Sequence, residues 1–306
     1  MRSHGRRAIR APRVDDYTQA YIRLLEQAKR CRLLPWTLKS RIGAWYGSRG
    51  SFLLQRRAQI MAAMQAGLAL DAAHSEQQFR LLCKSTGVAA QMVWQLADIS
   101  RRWLERHIQT PDAATLKEIS ATGAVILSHH SYHHNLLISF FKLCGLPLFP
   151  VGNPPAAFSD DDYLYHFTLR LNQATASNLN AGRWLFNDQG RDFLLGLRQA
   201  LEPQRILLVF CDFNEAKKRN PVLPFMGKTL QIPNGVLHFV EKTTVPVYFA
   251  GFRWQDPEGY TLSLTRLQTR GIDAGAVSLG EQYLGALEQH LRCYPAAWQH
   301  WEELSK

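Results

Sequence analysis

Apolar residues recur at helical spacing through roughly the first 110 residues of the chain. Ser75-Glu-Gln-Gln78 has the spacing of a capping box, in which a serine and a glutamine close the start of a helix, and an apolar stretch follows it. Glycine and proline interrupt the pattern at several points. We therefore predict helices over 15–33, 38–47, 51–67 and 87–108, and another that begins at Ser75.

The pattern changes near residue 120, where short apolar runs begin to alternate with helical stretches. These runs cover 124–128, 146–151, 183–186, 206–211 and 246–253. Residues 260–267 alternate between apolar and polar and predict a late strand, which could be antiparallel. Residues 278–304 predict a closing helix or helix pair interrupted at Pro295. The alternation predicts an α/β fold with a mixed, largely parallel sheet flanked by helices and preceded by an all-helical N-terminal region.

Charge is concentrated at the N-terminus. Residues 1–57 hold 14 Lys and Arg against 3 Asp and Glu, a balance of +11 that equals the net charge of the whole chain. This basic amphipathic arm suits anionic phospholipid, an acidic protein or nucleic acid, although a solvated helix face explains it too. No nucleic-acid-binding module is recognisable, so we expect no nucleic acid partner. We divide the chain into the arm, 1–57, and a main domain, 58–306, with a helical lead-in over 58–120 and an α/β core over 121–306.

Two features that the sequence lacks bear on the cellular compartment expected for the protein. No uninterrupted apolar run approaches the ~20 residues that a membrane-spanning helix needs, and the arm lacks the apolar core of a signal peptide. The five cysteines are widely spaced and include no Cys-x-x-Cys pair, which favours reduced thiols over a zinc site or a disulfide framework. We therefore expect a protein of a reducing compartment, with peripheral contact to any membrane.

The densest cluster of chemically useful side chains is AVILSHHSYHHNLL, residues 124–137. A buried strand is predicted to end at Ser128, and His129, His130, His133 and His134 follow it within six positions. Histidine titrates near neutral pH and is the commonest general base, so proton transfer is expected here. The alternative is a polar helix start that contains structural histidines.

This segment, GAVILSHHSYHHNLL, resembles the first signature block of the lysophospholipid acyltransferase superfamily, in which an apolar strand precedes His-x4-Asp or His-x4-Glu. The resemblance implies that His130 is the catalytic base and that Asn135 stands where the family has its acid. An amide can orient a histidine, but it cannot stabilise an imidazolium by charge. Two substitutes remain open: Asp212 could approach His130, or His129 and His134 could form the working pair.

Later segments extend the resemblance over roughly residues 56–304. Ile206–Asp212 (ILLVFCD) is similar to a family strand that ends in Pro-Asp, and Leu223–Gly235 (LPFMGKTLQIPNG) is similar to the block around Pro-Phe-Phe-Gly. The closing residues 287–298 resemble the lauroyl and myristoyl acyltransferases of lipid A biosynthesis. In that light the expected substrate-binding residues are Pro224, Phe225, Gly227, Lys228, Asn234 and Gly235. Gly227 would allow close backbone approach, Lys228 would meet a phosphate, and the N–H groups near Gly227 or Gly235 would bind an oxyanion.

The resemblance implies an enzyme that moves a fatty acyl group from an acyl carrier protein or coenzyme A thioester to a hydroxyl or amine. It implies no metal and no cofactor beyond that co-substrate. It also implies a peripheral position on the inner face of a bacterial cytoplasmic membrane, with residues 1–57 on the anionic surface. Because the arm replaces the branch's membrane-spanning helix, an amino lipid or a carrier-bound amine is favoured over lipid A as acceptor. The alternative is a homologue that binds acyl chains or a carrier protein without catalysis, having lost the motif acid.

Overall fold

The structure, a computed structural model, describes residues 16–110, 113–154, 162–212, 220–257, 259–268 and 277–305. It has the predicted mixed α/β architecture, with a helical N-terminal region followed by a largely parallel sheet. The described α-helices are α1 (Asp16–Arg30), α2 (Trp36–Gly50), α3 (Arg57–Leu68), α4 (Ala72–Val93), α5 (Arg101–His107), α6 (Ala113–Thr122), α7 (His134–Phe141), α8 (Asp162–Ala176), α9 (Arg191–Ala200), α10 (Gly235–Glu241) and α11 (Leu279–Cys293). The described strands are β1 (Ile108–Gln109), β2 (Ala124–Ser128), β3 (Leu148–Gly152), β4 (Leu185–Phe186), β5 (Ile206–Phe210), β6 (Val222–Phe225), β7 (Lys228–Gln231), β8 (Val247–Gln255) and β9 (Gly259–Leu267).

Helix α4 differs from the prediction at both ends. It begins three residues before Ser75, because Asp71 is the N-cap and its Oδ1 accepts a hydrogen bond of 2.8 Å from the backbone N–H of His74. The Ser75 hydroxyl instead donates to the carbonyl of Ala72 and accepts from Gln65. The helix then continues through Gly87 and ends at Val93, so the helix predicted over 87–108 is in fact the end of α4, a 3₁₀ turn and α5.

The N-terminal helices α2 and α4 pack on each other through a close backbone approach. A Cβ atom on Gly87 of α4 would lie 1.9 Å from the carbonyl oxygen of Gly43 on α2, so only glycine allows this separation. On α1, Leu24 and Leu25 are buried, and the Trp94 indole N–H donates to the Leu25 carbonyl at 3.1 Å. The turn between α1 and α2 is therefore held next to the end of α4.

The main sheet has seven strands in the order β1-β9-β8-β2-β5-β3-β4. Strands β8, β2, β5, β3 and β4 are parallel to one another. Strand β9 is antiparallel to β8, an orientation that the prediction for residues 260–267 had left open. The central strands β2 and β5 are buried along their whole length, which matches their uninterrupted apolar sequences. Helices cover this core, and no helix in the described part of the chain is both long and apolar enough to cross a lipid bilayer.

Strands β6 and β7 form a separate two-stranded hairpin. Its turn consists of Met226 and Gly227, which both have positive φ (52° and 72°), as a tight two-residue turn requires. A Cβ atom on Gly227 would meet nothing within 4 Å. The glycine serves the turn geometry, no described part of the protein approaches it closely, and the expectation that it allows close backbone approach stays a prediction.

The chain closes with α11 and two short 3₁₀ turns. Ser278 and Glu281 form a capping box at the start of α11, and the helix ends before Pro295, the predicted interruption. Trp298 and Trp301 then lie fully buried and 5.2 Å apart between ring centroids. These indoles fix the C-terminal segment against the carboxyl ends of the central strands.

Candidate active site

The register of β2 and β5 places two predicted site residues side by side. Ser128, the last residue of β2, pairs with Phe210, the last residue of β5, in parallel orientation. His130 and Asp212 each follow two positions later, at the same edge of the sheet. Equal offsets on adjacent parallel strands bring side chains together, and the carboxyl edge of a parallel sheet is the usual place for a ligand site.

His130 and Asp212 form a two-point contact. The His130 ring Nδ1 lies 2.6 Å from Asp212 Oδ1, and the His130 backbone N–H donates to Oδ2 at 2.7 Å. Because a carboxylate can only accept, we assign the Nδ1 proton to the imidazole, which makes Nε2 its basic nitrogen. The His130 side chain is 22% exposed and that of Asp212 is fully buried. The base can therefore be reached from solvent while its carboxylate partner cannot.

Trp298 completes the environment of the carboxylate. Its indole N–H donates to Asp212 Oδ2 at 2.7 Å, and the backbone N–H of Gln299 donates to the His130 carbonyl at 3.0 Å. Burial by itself raises the pKa of Asp212, but His130, which is close and hydrogen-bonded, together with His300 and His129, outweighs burial and holds that pKa below its ordinary range. Asp212 is thus an ionised carboxylate in a dry setting.

Asn135 does not take the position of the family's acid. The Asn135 side chain forms a hydrogen bond of 3.2 Å between its Nδ2 and Nε2 of His134. The other ring nitrogen of His134, Nδ1, lies 2.7 Å from the Ser131 carbonyl. Asn135 therefore orients His134, and the expectation that it orients His130 is wrong, because Asp212 occupies that position. Burial lowers the pKa of His134 to about 3, so its ring is neutral near pH 7.

His129 and His133 point into the protein and are buried. His133 Nε2 lies 3.0 Å from the Ser85 hydroxyl, and its Nδ1 lies 3.4 Å from the Tyr260 hydroxyl. Both ring nitrogens of His129 lack a hydrogen-bond partner of ordinary geometry among the described residues. Burial lowers its pKa to about 4, while nearby backbone of Phe252 and Ala297 opposes that shift. His129 and His134 point in different directions and do not form the working pair that was left open as an alternative.

His300 also lies at the site, although the sequence pattern did not predict it. Its ring centroid lies 5.1 Å from that of His130, and burial lowers its pKa to about 4. It follows Trp298 by two positions in the C-terminal segment, where no repeating pattern indicates its direction. Only the spacing Trp298-x-His300-Trp301 could have drawn attention to it.

His130, Asp212 and His300 together have the donor types of a metal site. Each offers one atom, and these atoms lie within 4.8 Å of one another. However, the Asp212 oxygens already accept three N–H bonds, from the His130 backbone, the His130 ring and Trp298. Metal ligation needs donor atoms that carry no proton; with Nδ1 of His130 protonated towards the carboxylate, Nε2 is the nitrogen that His130 could offer, and binding Asp212 as well would compete with its three N–H bonds. The arrangement favours proton transfer over metal binding.

The predicted substrate-binding segment has structural contacts instead. The Lys228 ammonium donates to the carbonyl of Leu304, the backbone N–H of Asn234 donates to Asn220 at 3.3 Å, and Pro224 is exposed on β6. Lys228 thus has a backbone partner here, and the expectation that it meets a phosphate stays a prediction. Gly235 begins α10, as expected, but that helix has only seven residues.

Phe225 is the member of this segment that acts on the site. Its ring packs edge-on against Trp298 at 5.6 Å between centroids, and it is buried. It thereby supports the indole that binds Asp212. The hairpin therefore contributes to the site indirectly, because Phe225 contacts Trp298 and Trp298 contacts the carboxylate.

Comparison with known proteins adds no family assignment. The chain matches none of the protein-family models and none of the curated proteins against which it was searched.

Proposed function

We propose that this protein transfers a fatty acyl group from a thioester, carried by acyl carrier protein or coenzyme A, to a hydroxyl or amine. The observation that carries this proposal is the pair formed by a partly exposed imidazole, His130, and a fully buried carboxylate, Asp212. This arrangement suits a general base, because the acid fixes one nitrogen of the ring while the side chain remains partly exposed. The acyltransferase-like sequence of residues 124–137 indicates the reaction class.

In the proposed reaction, His130 Nε2 removes the proton of the acceptor hydroxyl or amine as that atom attacks the thioester carbonyl carbon. The tetrahedral adduct collapses, the carbon–sulfur bond breaks, and the proton on Nε2 passes to the departing thiolate. Asp212 remains ionised and stabilises the imidazolium that exists between these steps. A thioester is already activated, so a positioned base worth ~10²–10⁴-fold, together with proximity, is adequate.

Asp212 supplies what Asn135 lacks. The family acid lies on the helix after the histidine, whereas here the carboxylate comes from the neighbouring strand β5. This contact supports catalysis over the alternative, a non-catalytic homologue that binds acyl chains or a carrier, which was motivated by the loss of the motif acid; replacing His130 distinguishes the two.

Peripheral attachment to an anionic membrane is part of the proposal. The described portion of the basic arm exposes Leu33 (88%), Leu38 (44%) and Trp45 (50%) between its cations. Apolar side chains beside Lys and Arg are typical of interfacial helices, and each cation near an anionic leaflet contributes about 1 kcal/mol. The substrate lipid would then be met at the inner surface of the cytoplasmic membrane.

The test is consumption of acyl thioester by the purified protein. Acyl carrier protein and coenzyme A thioesters are offered with a total lipid extract, and mass spectrometry identifies the product. We expect turnover by the wild type, loss of ~10²–10⁴-fold in His130→Ala, and retention of activity in His129→Leu, a matched change of the adjacent buried histidine. Absence of turnover with every donor, or equal turnover in wild type and His130→Ala, would refute the proposal.

A further inference from the structure

A cavity of about 400 Å³ lies away from His130, where the turn after α1, the helix α2, the end of α4 and the start of α5 meet. Its wall includes Arg32, Lys39, Trp94, Asp98, Ser100 and Trp103. The volume falls within the ~300–1,000 Å³ range of small-molecule sites. None of these residues takes part in the acyl-transfer site.

Lys39 is the unusual member of this wall. The residue is only 5% exposed, and no ion pair or side-chain hydrogen bond of its ammonium is found among the described residues. Its pKa is lowered because burial disfavours the charged form. The stem of Lys39 is buried, whereas its ammonium is not among the enclosed nitrogens without a partner, so the charge can meet an anion in the cavity that the residue lines.

The other charges of the wall leave a positive balance. Arg32 is exposed at the rim and, in the described part of the chain, has no ion pair. Asp98 is the acidic residue of the wall, is exposed, and pairs with neither cation among the described residues. Two cations therefore face one carboxylate, and an incoming anion with several oxygens can be shared between the ammonium and the guanidinium.

Two indole rings give the cavity rigid apolar sides. Trp94 is fixed by its N–H bond to the Leu25 carbonyl, and Trp103 is stacked on His107 at 4.4 Å and packed edge-on against Trp36 at 5.4 Å between centroids. Flat aromatic faces beside a cation suit a ligand that has an apolar or aromatic part next to its anionic group.

We propose that this cavity binds a phosphoryl group of a larger molecule, with the phosphoryl oxygens on Lys39 and Arg32 and the remainder of the molecule against Trp94 and Trp103. The phosphoryl group could belong to a soluble phosphate ester or to a phospholipid headgroup. Leu33, which is 88% exposed and also lines the cavity, provides contact for a lipid that enters from a membrane surface. The proposal does not depend on acyl transfer, because it concerns binding at a separate place.

The experiment measures binding by the full chain, without turnover. Inorganic phosphate and coenzyme A are titrated calorimetrically, and phosphatidylglycerol vesicles are compared with phosphatidylcholine vesicles by flotation. The variants are Lys39→Met and Arg32→Gln, and the matched control is Arg30→Gln, which removes the same charge from an exposed position of α1 outside the cavity. Circular dichroism and thermal melting verify folding.

We expect Lys39→Met to weaken binding more than tenfold, Arg32→Gln to weaken it several-fold, and Arg30→Gln to leave it unchanged. If coenzyme A binds and the three variants affect its binding in this order, the ligand is a soluble phosphate ester. If only phosphatidylglycerol vesicles bind, the ligand is a lipid headgroup. If Lys39→Met does not fold, the comparison of Arg32→Gln with Arg30→Gln decides. Absence of binding to all probes, or equal weakening by Arg30→Gln and Arg32→Gln, overturns the proposal.

Discussion

His129 and His130 are adjacent in the chain, yet they have opposite environments. His129 is 1% exposed and has no hydrogen-bond partner of ordinary geometry among the described residues, whereas His130 is partly exposed and bound at two points by Asp212. The difference arises because consecutive residues at a strand end point to opposite sides. A cluster of histidines therefore does not by itself indicate which ring is the candidate base; the ring that faces a carboxylate on the neighbouring strand is the better candidate.

The substitution Asp212→Asn is expected to have the largest effect, because it removes the carboxylate that distinguishes the environment of His130 from that of His129. It removes the charge opposite His130 and allows the amide to donate to Nδ1, which would favour the wrong tautomer. We expect kcat to fall about 10²–10³-fold with the thioester donor. Measured activity within threefold of the wild type would show that the pair is structural.

The pH dependence of stability reports on His129. Its folded pKa is about 4, below the ordinary value of 6.5, so the unfolded chain binds the proton more readily. The free energy of unfolding is therefore expected to be undiminished above pH 6.5 and to decrease as the pH falls towards 4, with His129 contributing up to roughly 3 kcal/mol. His134 and His300 also have pKa values lowered by burial, so His129→Leu should make this part of the curve shallower without removing it, as followed by thermal melting between pH 4 and 7. An unchanged curve in the variant would contradict the burial of a neutral His129.

Trp298→Phe tests the donor that holds the carboxylate from the other side. It removes the indole N–H bond to Asp212 and should lower kcat about tenfold, since a hydrogen bond to a charged group contributes roughly 1.5–3 kcal/mol. Trp301→Phe is the matched control, because Trp301 is equally buried but donates to the Pro295 carbonyl. Equal losses of activity in the two variants would indicate a packing effect alone.

Asn135→Ala is expected to have the smallest effect. Its amide contacts His134, so activity should fall less than threefold, and the measurement is the same thioester assay. A loss comparable to that of Asp212→Asn would restore Asn135 as the partner of His130 and would place the family's motif geometry in this protein.

The sequence predicted the parts of the site that follow from strand patterns. The apolar runs 124–128 and 206–211 indicated two buried strands, and Asp212 was a candidate because it ends the second. The pairing of Ser128 with Phe210 was beyond the sequence, because register depends on contacts between distant segments. Asn135 was misassigned because a motif spacing was carried over, whereas α7 begins at His134 and places the amide on that neighbour.

The other features that the sequence did not indicate lie in segments without regular periodicity. Gly227 was explained by close approach, but tight hairpin turns require the same residue type, and the sequence does not distinguish these reasons. His300 lies just before a short 3₁₀ turn, where the sequence has no periodic pattern that would indicate the direction of a side chain. Trp298 was evident as a buried aromatic, and its bond to Asp212 depends on how the C-terminal segment folds back.

The bond from Trp298 to Asp212 has a consequence for how the protein folds. His130, Asp212 and Trp298 come from three segments that are separated by 82 and 86 residues along the chain. Contacts between such distant segments form late, because the entropy of closing the long loops must be lost before the contacts stabilise the fold. The polar centre of this protein is therefore expected to assemble near the end of folding, after the strands that carry it have paired.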